Sequence, residues 1–541
     1  MEQTREVITT HLAERLCWQV ARRDDSRVAR RLSRKPVVDG VYPLDAGAWR
    51  DECFYCLREL GVVALREDVR GTGIAREMVP MVQYVLLDEL KTLCGMERRN
   101  ALPEWLFSDA ASRRLVGFNA HQVRHGVCQR GAAKRQGPRT TGPIGPEALA
   151  NNVVKLDWQA LEALFTGAIR ALAQAGVFQA KVTGMVDGTD LETTAQYEGC
   201  GPVTRKRQLT DTHGKVRDIE VTVDGWQVIV LIDAATKLPL AVQGVPIQAH
   251  EGLSLRALVT QARTNLAGAA RRHKVVCARG FLAGSDLWWL DQHGLRCVVP
   301  ATEDRAVTVD ARALAAAGDG LPVGRRVHTV RHGQGQGAGS ERRETEVVGL
   351  AGLTTDDHYG TPEHGQDHHR RDFEPNPIHA VVVRTWNGRD YGPGGKPVFL
   401  TNASVEQPLP PFDDDDDRRL IEQCCSKEAK QPWDLTHPPQ KTARAVRVHV
   451  VLTLLMFARA TAYRLRGAAR ETGTEPLGWQ RWRRQLLQQN RDQLIVFAQG
   501  SYGIFHVAEY AILLGVKRKD VPPGIGTRQE VLARYELAGH S

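Results

Sequence analysis

The stretch Val275-Val276-Cys277-Ala278-Arg279-Gly280-Phe281 begins as an apolar run and ends at a glycine. This pattern predicts a short buried strand over 274–278, followed by a turn. Before it, 252–266 has apolar residues at helical spacing, with one face formed by Leu253, Leu255, Leu258 and Ala262. After it, 284–293 predicts a short helix and 295–300 a further strand. We therefore expect the order helix, strand, helix, strand over 252–300.

Upstream, three more apolar runs predict strands that pair side by side. The segment 182–186 reads as a short strand that delivers Asp187 at its end, just before the pleat-breaking Gly188. The runs 227–233 and 238–245, joined by Ala-Ala-Thr-Lys, predict a hairpin beside this first strand. The full order is three antiparallel strands, helix, strand, helix, strand, which is the plan of the ribonuclease H-like fold.

Four stretches make the chain resemble the DDE transposases of bacterial insertion sequences, in particular the group with a β-rich insertion before the last catalytic residue. Each stretch is weak alone, but their order and their predicted strand or helix settings make a strong joint signal. They span nearly half of the 541-residue chain. They are Val-Asp-Gly-Thr at 186–189, the stretch 275–281 with Leu-Trp-Trp-Leu-Asp-Gln-His-Gly-Leu behind it, Pro-Val-Phe-Leu-Thr-Asn at 397–402, and Arg-Arg-Leu-Ile-Glu-Gln-Cys-Cys-Ser-Lys-Glu-Ala-Lys-Gln at 418–431.

The resemblance implies Mg²⁺-dependent (or Mn²⁺-dependent) DNA strand cleavage and strand transfer at transposon ends. Such chemistry uses two divalent ions about 4 Å apart, which activate the attacking oxygen and stabilise the leaving one. Carboxylates suit these ions, and the family supplies an Asp on the first strand, an Asp ending the fourth strand and a Glu on a later helix. By position these are Asp187, residue 278 and Glu422, and Asp187 and Glu422 would bind the metal. Residue 278 is Ala.

Three explanations of Ala278 stay open. An engineered substitution of Asp by Ala removes one carboxylate and leaves a strand end that tolerates a methyl group. A natural, inactive relative retained for DNA binding is the second explanation. In the third, the motif is misplaced and Asp286 or Asp291 serves instead, although their place on a short helix beyond the strand favours ordinary surface acids.

The helix that carries Glu422 is expected to start near 413–417, so that Arg418, Glu422 and Ser426 share one face. The family often places a Tyr and an Arg before the Glu and a Lys after it. Here no Tyr is present and Lys430 is one residue out of step. An ordinary Arg–Glu surface pair, and Glu428 as the acid, are the alternatives. The residues predicted to contact DNA are Arg418, Lys427, Lys430, Arg279, Trp386, Arg205, Lys206 and Arg207.

Trp386 follows a predicted strand that enters an Asn-Gly turn inside the insertion. In the family such an insertion can present an aromatic side chain that stacks on a flipped base, and Trp386 is the candidate for this role. A buried or surface Trp without such a role is the alternative.

Charge agrees with a nucleic-acid partner, because 72 Lys plus Arg against 63 Asp plus Glu gives a net charge of +9. For any one basic cluster, ordinary surface solvation is the competing explanation. The run of five aspartates at 413–417 reads as a solvated helix start, where the helix dipole favours negative charge. The basic clusters lie at 22–35, 130–139, 205–207, 481–484 and 517–519.

A chain of this length is expected to form several domains, and we predict an α/β multidomain protein. The ribonuclease H-like core is predicted in two parts, and an all-helical N-terminal region is predicted to recognise the transposon end. The predicted boundaries are 1–130 for the helical DNA-binding region, 131–150 for a basic linker, 151–300 and 398–470 for the core, 301–397 for the β-rich insertion, and 471–541 for a helical C-terminal region.

The expected partner is double-stranded DNA, both terminal inverted repeats and target DNA, bound by a homodimer. The apolar centre 450–458 is too short for a membrane span and no signal peptide opens the chain, so we expect a cytoplasmic, nucleoid-associated bacterial protein without a membrane partner. Cys53 and Cys56 have zinc spacing but lack a second close pair, which argues against zinc. The competing function is a noncatalytic DNA-binding protein derived from a transposase.

Overall fold

The protein is described from a computed structural model. Two compact units divide the chain, one formed by Met1–Ala171 with Ala429–Ser541 and the other by Leu172–Glu428. The residues that the structure describes are 21–43, 71, 79–93, 96, 109–119, 122–123, 144–210, 216–318, 320–332, 339–354, 378–386, 389–390, 396–421, 428–430, 433–470, 492–521, 526–535 and 537.

The strands in chain order are β1 (Arg22–Arg23), β2 (Gly40–Pro43), β3 (Lys181–Thr193), β4 (Gly201–Thr210), β5 (Val216–Asp233), β6 (Pro239–Pro246), β7 (Arg271–Cys277), β8 (Arg296–Pro300), β9 (Val323–His332), β10 (Gly339–Leu353), β11 (Ile378–Trp386), β12 (Arg389–Asp390), β13 (Val398–Thr401), β14 (Gln493–Ala498) and β15 (Ser501–His506).

The α-helices in chain order are α1 (Asp25–Arg34), α2 (Met81–Leu93), α3 (Ala110–Leu115), α4 (Pro146–Val153), α5 (Trp158–Gln174), α6 (Leu255–Leu266), α7 (Gly284–Gln292), α8 (Ala306–Ala317), α9 (Leu409–Ile421), α10 (Glu428–Lys430), α11 (Ala443–Arg470), α12 (Val507–Leu513) and α13 (Arg528–Arg534).

One mixed sheet organises the unit 172–428. Its strand order is β4-β5-β3-β7-β8-β13-β11-β10-β9, and β6 pairs with the later part of β5, from Trp226 to Ile232. Strands β3, β7 and β8 are parallel, whereas β5 and β6 are antiparallel to their neighbours. The predicted strands and helices over 181–300 are present in the predicted order, but an unpredicted strand, β4, follows β3, so four strands and not three precede α6; the mixed α/β class is confirmed.

The apolar patterns of this region reflect burial on the sheet. Val275, Val276 and Cys277 are fully buried in β7, because helices cover a parallel strand on both faces. The predicted face of α6 is correct except at Leu253, whose side chain is 83% exposed. Residues Glu251–Ser254 form a 3₁₀ turn before α6 begins, so Leu253 does not follow the α-helical spacing.

Strand β3 is longer than its sequence predicts. We expected it to end at residue 186, but its pairing with β5 continues from Gly184 to Thr193. The parallel pairing with β7 does stop at Val186, opposite Cys277. Asp187 therefore still pairs with Val230 of β5. It lies one residue beyond Val186, the last residue of β3 that pairs with β7.

The segment 301–397 contributes to the same sheet. It begins with a helix, α8, and its antiparallel strands β9, β10 and β11 join the central strands through β13. Strand β13 pairs with β8 on one side and with β11 on the other. The predicted β-rich insertion is thus β-rich in its later part and extends the core sheet.

Gly349 in β10 brings that strand close to the segment leading into α9. A Cβ atom at Gly349 would overlap the main-chain carbonyl oxygen of Val405, which cannot rotate away. We expect Gly349→Ala to lower the free energy of unfolding by about 1–3 kcal/mol, because the two backbones must separate. Gly244→Ala in β6 is the matched control, since nothing lies within 4 Å of its added methyl group. Urea denaturation of both variants measures the difference, and equal stabilities would contradict the close approach.

The two ends of the described chain form one small αβα module, here called the terminal module. Its sheet has the order β1-β15-β14-β2, with β1 parallel to β15 and β2 antiparallel to β14. Helix α3 covers one face, where Ala111 and Leu115 pack on Phe497 and Tyr502. Helices α1, α12 and α13 cover the other face, around Phe505 and Tyr535.

The terminal module corrects two predictions. The N-terminal region is not all-helical and the C-terminal region is not helical throughout, because each contributes two strands to this sheet. Strand β1 has two residues and β2 four, which is too short for an alternating pattern to appear. These strands exist because of pairing partners far along the chain, as in the contact between Asp39 and Gln499, 460 residues apart.

Helix α11 is the core helix of the unit formed by Met1–Ala171 and Ala429–Ser541, in the part outside the terminal module. The segment Ala443–Leu465 is long and apolar enough to cross a membrane by composition, but 94% of its apolar 18-residue window is buried inside the protein. Trp433 packs edge-on against Phe457 of α11, and α11 also packs against α2. The burial of α11 fits a core helix.

Two predicted boundaries are displaced. The predicted linker 131–150 ends in helix α4, which begins at Pro146, where the missing N–H of proline is not needed. The predicted core segment 398–470 includes α11, but residues from Ala429 onward belong to the other compact unit. The apolar pattern of α11 indicates burial and does not reveal in which unit the helix is buried.

Candidate active site

Asp187 and Ala278 occupy neighbouring positions at the edge where β3 and β7 stop pairing. The last paired residues are Val186 and Cys277, and the main-chain N–H of Ala278 donates to the carbonyl oxygen of Val186 at 3.0 Å. Neighbouring strands lie about 4.8 Å apart, so an acid at 278 would stand beside the carboxylate of Asp187. The sequence prediction that these two positions meet is consistent with this register.

The carboxylate of Asp187 is mostly buried and has a cationic neighbour. Its Oδ1 accepts the main-chain N–H of Gly188 at 2.9 Å. Its Oδ2 lies 3.6 Å from Nη1 of Arg418, and the side chains of Arg418 and Asp187 are 12% and 13% exposed. The positive charge of Arg418 therefore partly compensates the negative charge of Asp187.

Helix α9 directs three charged side chains toward this edge of the sheet. Nε of Arg418 donates to Oδ1 of Asp415 at 3.0 Å, and the side chain of Asp415 is buried. One helical turn earlier, Asp414 accepts from Nζ of Lys274 in β7 at 2.7 Å. Residues 414, 415 and 418 lie on one helical face.

Glu422 itself lies outside the described residues, as does Lys427. The placement of Glu422 in the site and its role as a metal ligand thus stay predictions. The fallback residue Glu428 lies in α10, but its side chain is outside the described part of the chain.

The acidic run at 413–417 was predicted to be a solvated helix start, and this prediction is wrong. Helix α9 begins at Leu409, with Pro410 and Pro411 in its first turn, so the acids lie in its middle. Asp413 pairs with Arg326 at 2.8 Å, and its two successors pair with Lys274 and Arg418. Asp413 and Asp414 thus fasten the helix to strands β9 and β7, whereas Asp415 pairs within α9.

Glu251 is an acid near the site that sequence reasoning missed. Its carboxylate accepts a hydrogen bond from Nε2 of Gln227 and lies 3.0 Å from where a Cβ of Gly188 would be. It also occupies the space beside Gly280, so that a side chain there would overlap it. Burial raises the pKa of Glu251, opposed by the hydrogen bond from Gln227.

Glu251 does not replace the acid missing at 278. Successive residues of a strand face opposite sides of the sheet, so the carboxylate beside Gly188 approaches from the face opposite to Asp187. Its carboxylate lies beside Gly188 of β3 and Gly280 of the turn after β7, where an added side chain would meet it. The sequence signal that points to the space Glu251 occupies is a glycine shortly after each of positions 187 and 278, namely Gly188 and Gly280.

The two alternative acids on α7 have structural partners. Asp286 is buried and pairs with Nε of Arg256 at 2.6 Å, and burial raises its pKa although Arg256 opposes the shift. It was expected to be a surface acid, and its burial against α6 contradicts that expectation. Oδ1 of Asp291 accepts from Nδ2 of Asn402 at 2.9 Å, and Asn402 also accepts the N–H of Cys297. Both acids tie α7 to its neighbours.

The predicted DNA contacts divide into three groups. Arg205 and Arg207 of β4 form ion pairs with Asp190 and Glu192, so acids already balance their charges. Lys206 and Arg279 are exposed, and Lys430 is partly exposed. Trp386 ends β11, but its side chain is outside the described part.

The described residues do not form a complete divalent-metal site. Within the described ranges, no group of three or more His, Cys, Asp or Glu side chains is placed to hold a metal ion. At the β3–β7 edge the carboxylate of Asp187 lies 3.6 Å from Arg418, the carboxylate of Asp415 is paired with the same Arg418, and the methyl group of Ala278 offers no ligand. The ligand set predicted from the sequence therefore lacks an acid at residue 278.

Comparisons with known proteins add little to this geometry. No protein-family model matches the sequence, and no curated protein matches it. Among solved structures, the chain is similar to a piggyBac transposase in a synaptic complex with hairpin DNA, with a TM-score of 0.35 and 8% identity, over 86% of this chain and 80% of that one. A similarity of this degree does not indicate a function.

Proposed function

We propose that the protein is a transposase of the DDE type whose DNA-cleavage site lacks its second acid. The observation that carries the proposal is the position of Asp187 and Ala278 side by side where the parallel pairing of β3 with β7 ends. The partial strand order β6-β5-β3-β7-β8, with helices α6 and α7 on either side of β7 in sequence, supports a ribonuclease H-like core. Fold alone does not imply this function, so the proposal depends on the acids.

Helix α9 supports the same proposal from the other side of the site. Arg418 approaches Asp187, and Asp415 holds the guanidinium group of Arg418. If α9 continues for one more turn, Glu422 follows Arg418 on the same face and meets Asp187. An Asp at 278 would then complete three carboxylates, which with water and substrate oxygens are the ligands that Mg²⁺ takes.

As the chain stands, the site is proposed to bind DNA ends without cutting them. This form lacks one of the three carboxylates that a metal-dependent step would need. The proposed substrate is the terminal inverted repeat of the element that encodes the protein, bound by two subunits. The decisive test restores the acid with Ala278→Asp and asks for Mg²⁺-dependent nicking of DNA from both flanks of the gene.

A noncatalytic DNA-binding protein derived from a transposase is the second candidate. The observation in its favour is Ala278 in surroundings that keep Asp187 and Arg418 in place. On this alternative the restored protein binds the flanking DNA and still does not nick it.

A further inference from the structure

The geometry points to the sheet edge at the start of β3, β7 and β8 as a binding surface for the phosphate backbone of duplex DNA. The cations of this surface, here called the basic edge, are Lys181 in β3, Arg271 and Arg272 in β7, and Arg296 in β8. The inference rests on the proposed function, because it names a surface with which the protein holds DNA. It concerns binding and not cleavage, since the candidate active site lies at the other end of β7, about 20 Å away.

Arg272 is the least ordinary member of the basic edge. Its Nη1 is buried and makes no hydrogen bond, and its side chain forms no ion pair with any acid in the described part of the chain. Burial, with a smaller contribution from the positive charge of Arg263 in α6, lowers the pKa of Arg272 to about 10, so its guanidinium group stays charged at neutral pH. A buried donor without an acceptor is costly and calls for a partner from outside the chain. Two neighbouring cations make an anion the favoured partner.

The other three cations of the basic edge are exposed and are not balanced by acids. Among the residues that the structure describes, Lys181, Arg271 and Arg296 form no salt bridge and no side-chain hydrogen bond. The sequence around them explains this, because three stretches contain neither Asp nor Glu: 172–186, 263–277 and 292–302. The basic edge therefore keeps its positive charge.

The positive charge acts on a neighbouring histidine, and the edge is open to a ligand. Burial lowers the pKa of His273, and the charges of Lys274, Lys181 and Arg296 lower it further, against a hydrogen bond with the carbonyl oxygen of Val182. The chain segments that border the edge are exposed: 179–181, 267–269 and 292–294. A long anionic ligand can thus lie along the edge.

The sheet separates opposite charges between its two ends. The carboxylates of Asp187 and Glu251 lie near the end of the β3–β7 pairing, whereas the basic edge lies at its start. Lys274, two residues after Arg272, does have an acid partner, Asp414 of α9, and is not part of the basic edge. Other arginines of the unit 172–428 are paired with acids in the same way: Arg205, Arg207, Arg256, Arg326 and Arg418.

The width of the basic edge favours a chain of phosphates over one free ion. Neighbouring strands lie about 4.8 Å apart, so the cations spread over about 10 Å from β3 to β8. One DNA strand carries a phosphate for about every 3.4 Å of duplex axis, so this width corresponds to about three base-pair steps. The cations stand on paired strands, so binding does not require ordering of the main chain.

The test compares two triple variants of the full-length protein. The basic-edge variant carries Lys181→Gln, Arg271→Gln and Arg296→Gln. The control variant also loses one lysine and two arginines, from exposed positions in the other compact unit: Arg27→Gln, Arg30→Gln and Lys517→Gln. The probe is a fluorescein-labelled duplex from the gene flank, without divalent metal, titrated at several salt concentrations.

We expect the basic-edge variant to raise the Kd for the duplex at least about tenfold and to lower the slope of log K against log salt by about 2.7, as for three lost phosphate contacts. The control variant should change neither quantity by as much as half of this. Equal losses in the two variants would show a net-charge effect, and no loss in the basic-edge variant would show that another surface holds the duplex; either result overturns the inference.

Arg272→Met separates phosphate binding from a structural role. The variant should raise the Kd for the duplex about tenfold, because a charged hydrogen bond to phosphate is lost. Its Tm should stay the same or rise, because the replaced group is a buried donor without a partner in the chain. A lower Tm, or a Kd equal to that of the parent protein, would contradict the role given to Arg272.

Two other anions are distinguished by the same variants. Inorganic phosphate in place of chloride, at constant ionic strength, should shift the Tm of the parent protein and of Arg272→Met equally. A shift confined to the parent, with normal duplex binding by the basic-edge variant, would identify a site for free phosphate and overturn the inference. Loss of binding to anionic lipid vesicles with normal duplex binding would overturn it in favour of a membrane surface. Absence of nicking by Ala278→Asp would contradict the proposed function and leave these binding results unaffected.

Discussion

Ala278→Asp is expected to convert a protein without nicking activity into one that nicks DNA in the presence of Mg²⁺. The new carboxylate would stand beside Asp187 at the β3–β7 edge, where neighbouring strands are about 4.8 Å apart. A bound metal contributes several kcal/mol of transition-state stabilisation, so the gain should reach at least about 100-fold over the parent protein. The measurement is nicking of a supercoiled plasmid that carries both flanks of the gene.

Three controls make this result specific. Ala278→Asn has nearly the same shape as Ala278→Asp and lacks the charge, so it should stay inactive. Asp187→Asn in the Ala278→Asp background should abolish the new activity, and Ca²⁺ in place of Mg²⁺ should support binding without nicking. Activity in the Ala278→Asn protein would contradict the assignment, because it would not depend on a carboxylate at 278.

The largest expected loss of stability follows from Arg459→Met in α11. Arg459 forms an ion pair with Glu89 of α2, and their side chains are 0% and 1% exposed. Removing the guanidinium group leaves the carboxylate of Glu89 buried beside an apolar side chain. We expect the free energy of unfolding to fall by about 3–5 kcal/mol, measured by urea denaturation.

Replacing both partners separates this effect from a loss of packing. The double variant Arg459→Met with Glu89→Leu should recover at least the parent stability, because a buried pair seldom exceeds well-packed apolar residues in stability. Nε and Nη2 of Arg459 make no hydrogen bond in the described structure, which strengthens this expectation. Arg447→Met on the exposed side of α11 should change stability by less than about 0.5 kcal/mol. A double variant as unstable as the single one would contradict the argument.

The sequence predicts those parts of the fold that local periodicity determines. The hairpin β5–β6, helix α6 and strand β7 follow from apolar runs within one window of residues. The edge position of Asp187 and Ala278 follows as well, because a glycine or a turn ends each buried run. These features need no knowledge of which distant residues approach them.

Other features depend on contacts between distant residues and were not predictable. Lys274 and Asp414 are 140 residues apart, and their ion pair anchors to β7 the helix whose acidic run the sequence predicts to be a solvated helix start. Asp25 accepts the N–H of Ile504 from 479 residues away, which makes a short N-terminal segment part of a sheet. Glu251 was missed for the same reason, since its two glycine neighbours belong to β3 and to the turn after β7.

Fe²⁺-directed cleavage of the polypeptide tests the central claim most directly. In the Ala278→Asp protein, Fe²⁺ bound in place of Mg²⁺ generates hydroxyl radicals with ascorbate and peroxide, and these cut the main chain next to the ligands. We predict cuts beside residues 187, 278 and 422, all abolished by excess Mg²⁺ and by Asp187→Asn. Cuts at other positions, or cuts beside 187 and 278 without one beside 422, would contradict a single ion pocket formed by these three residues.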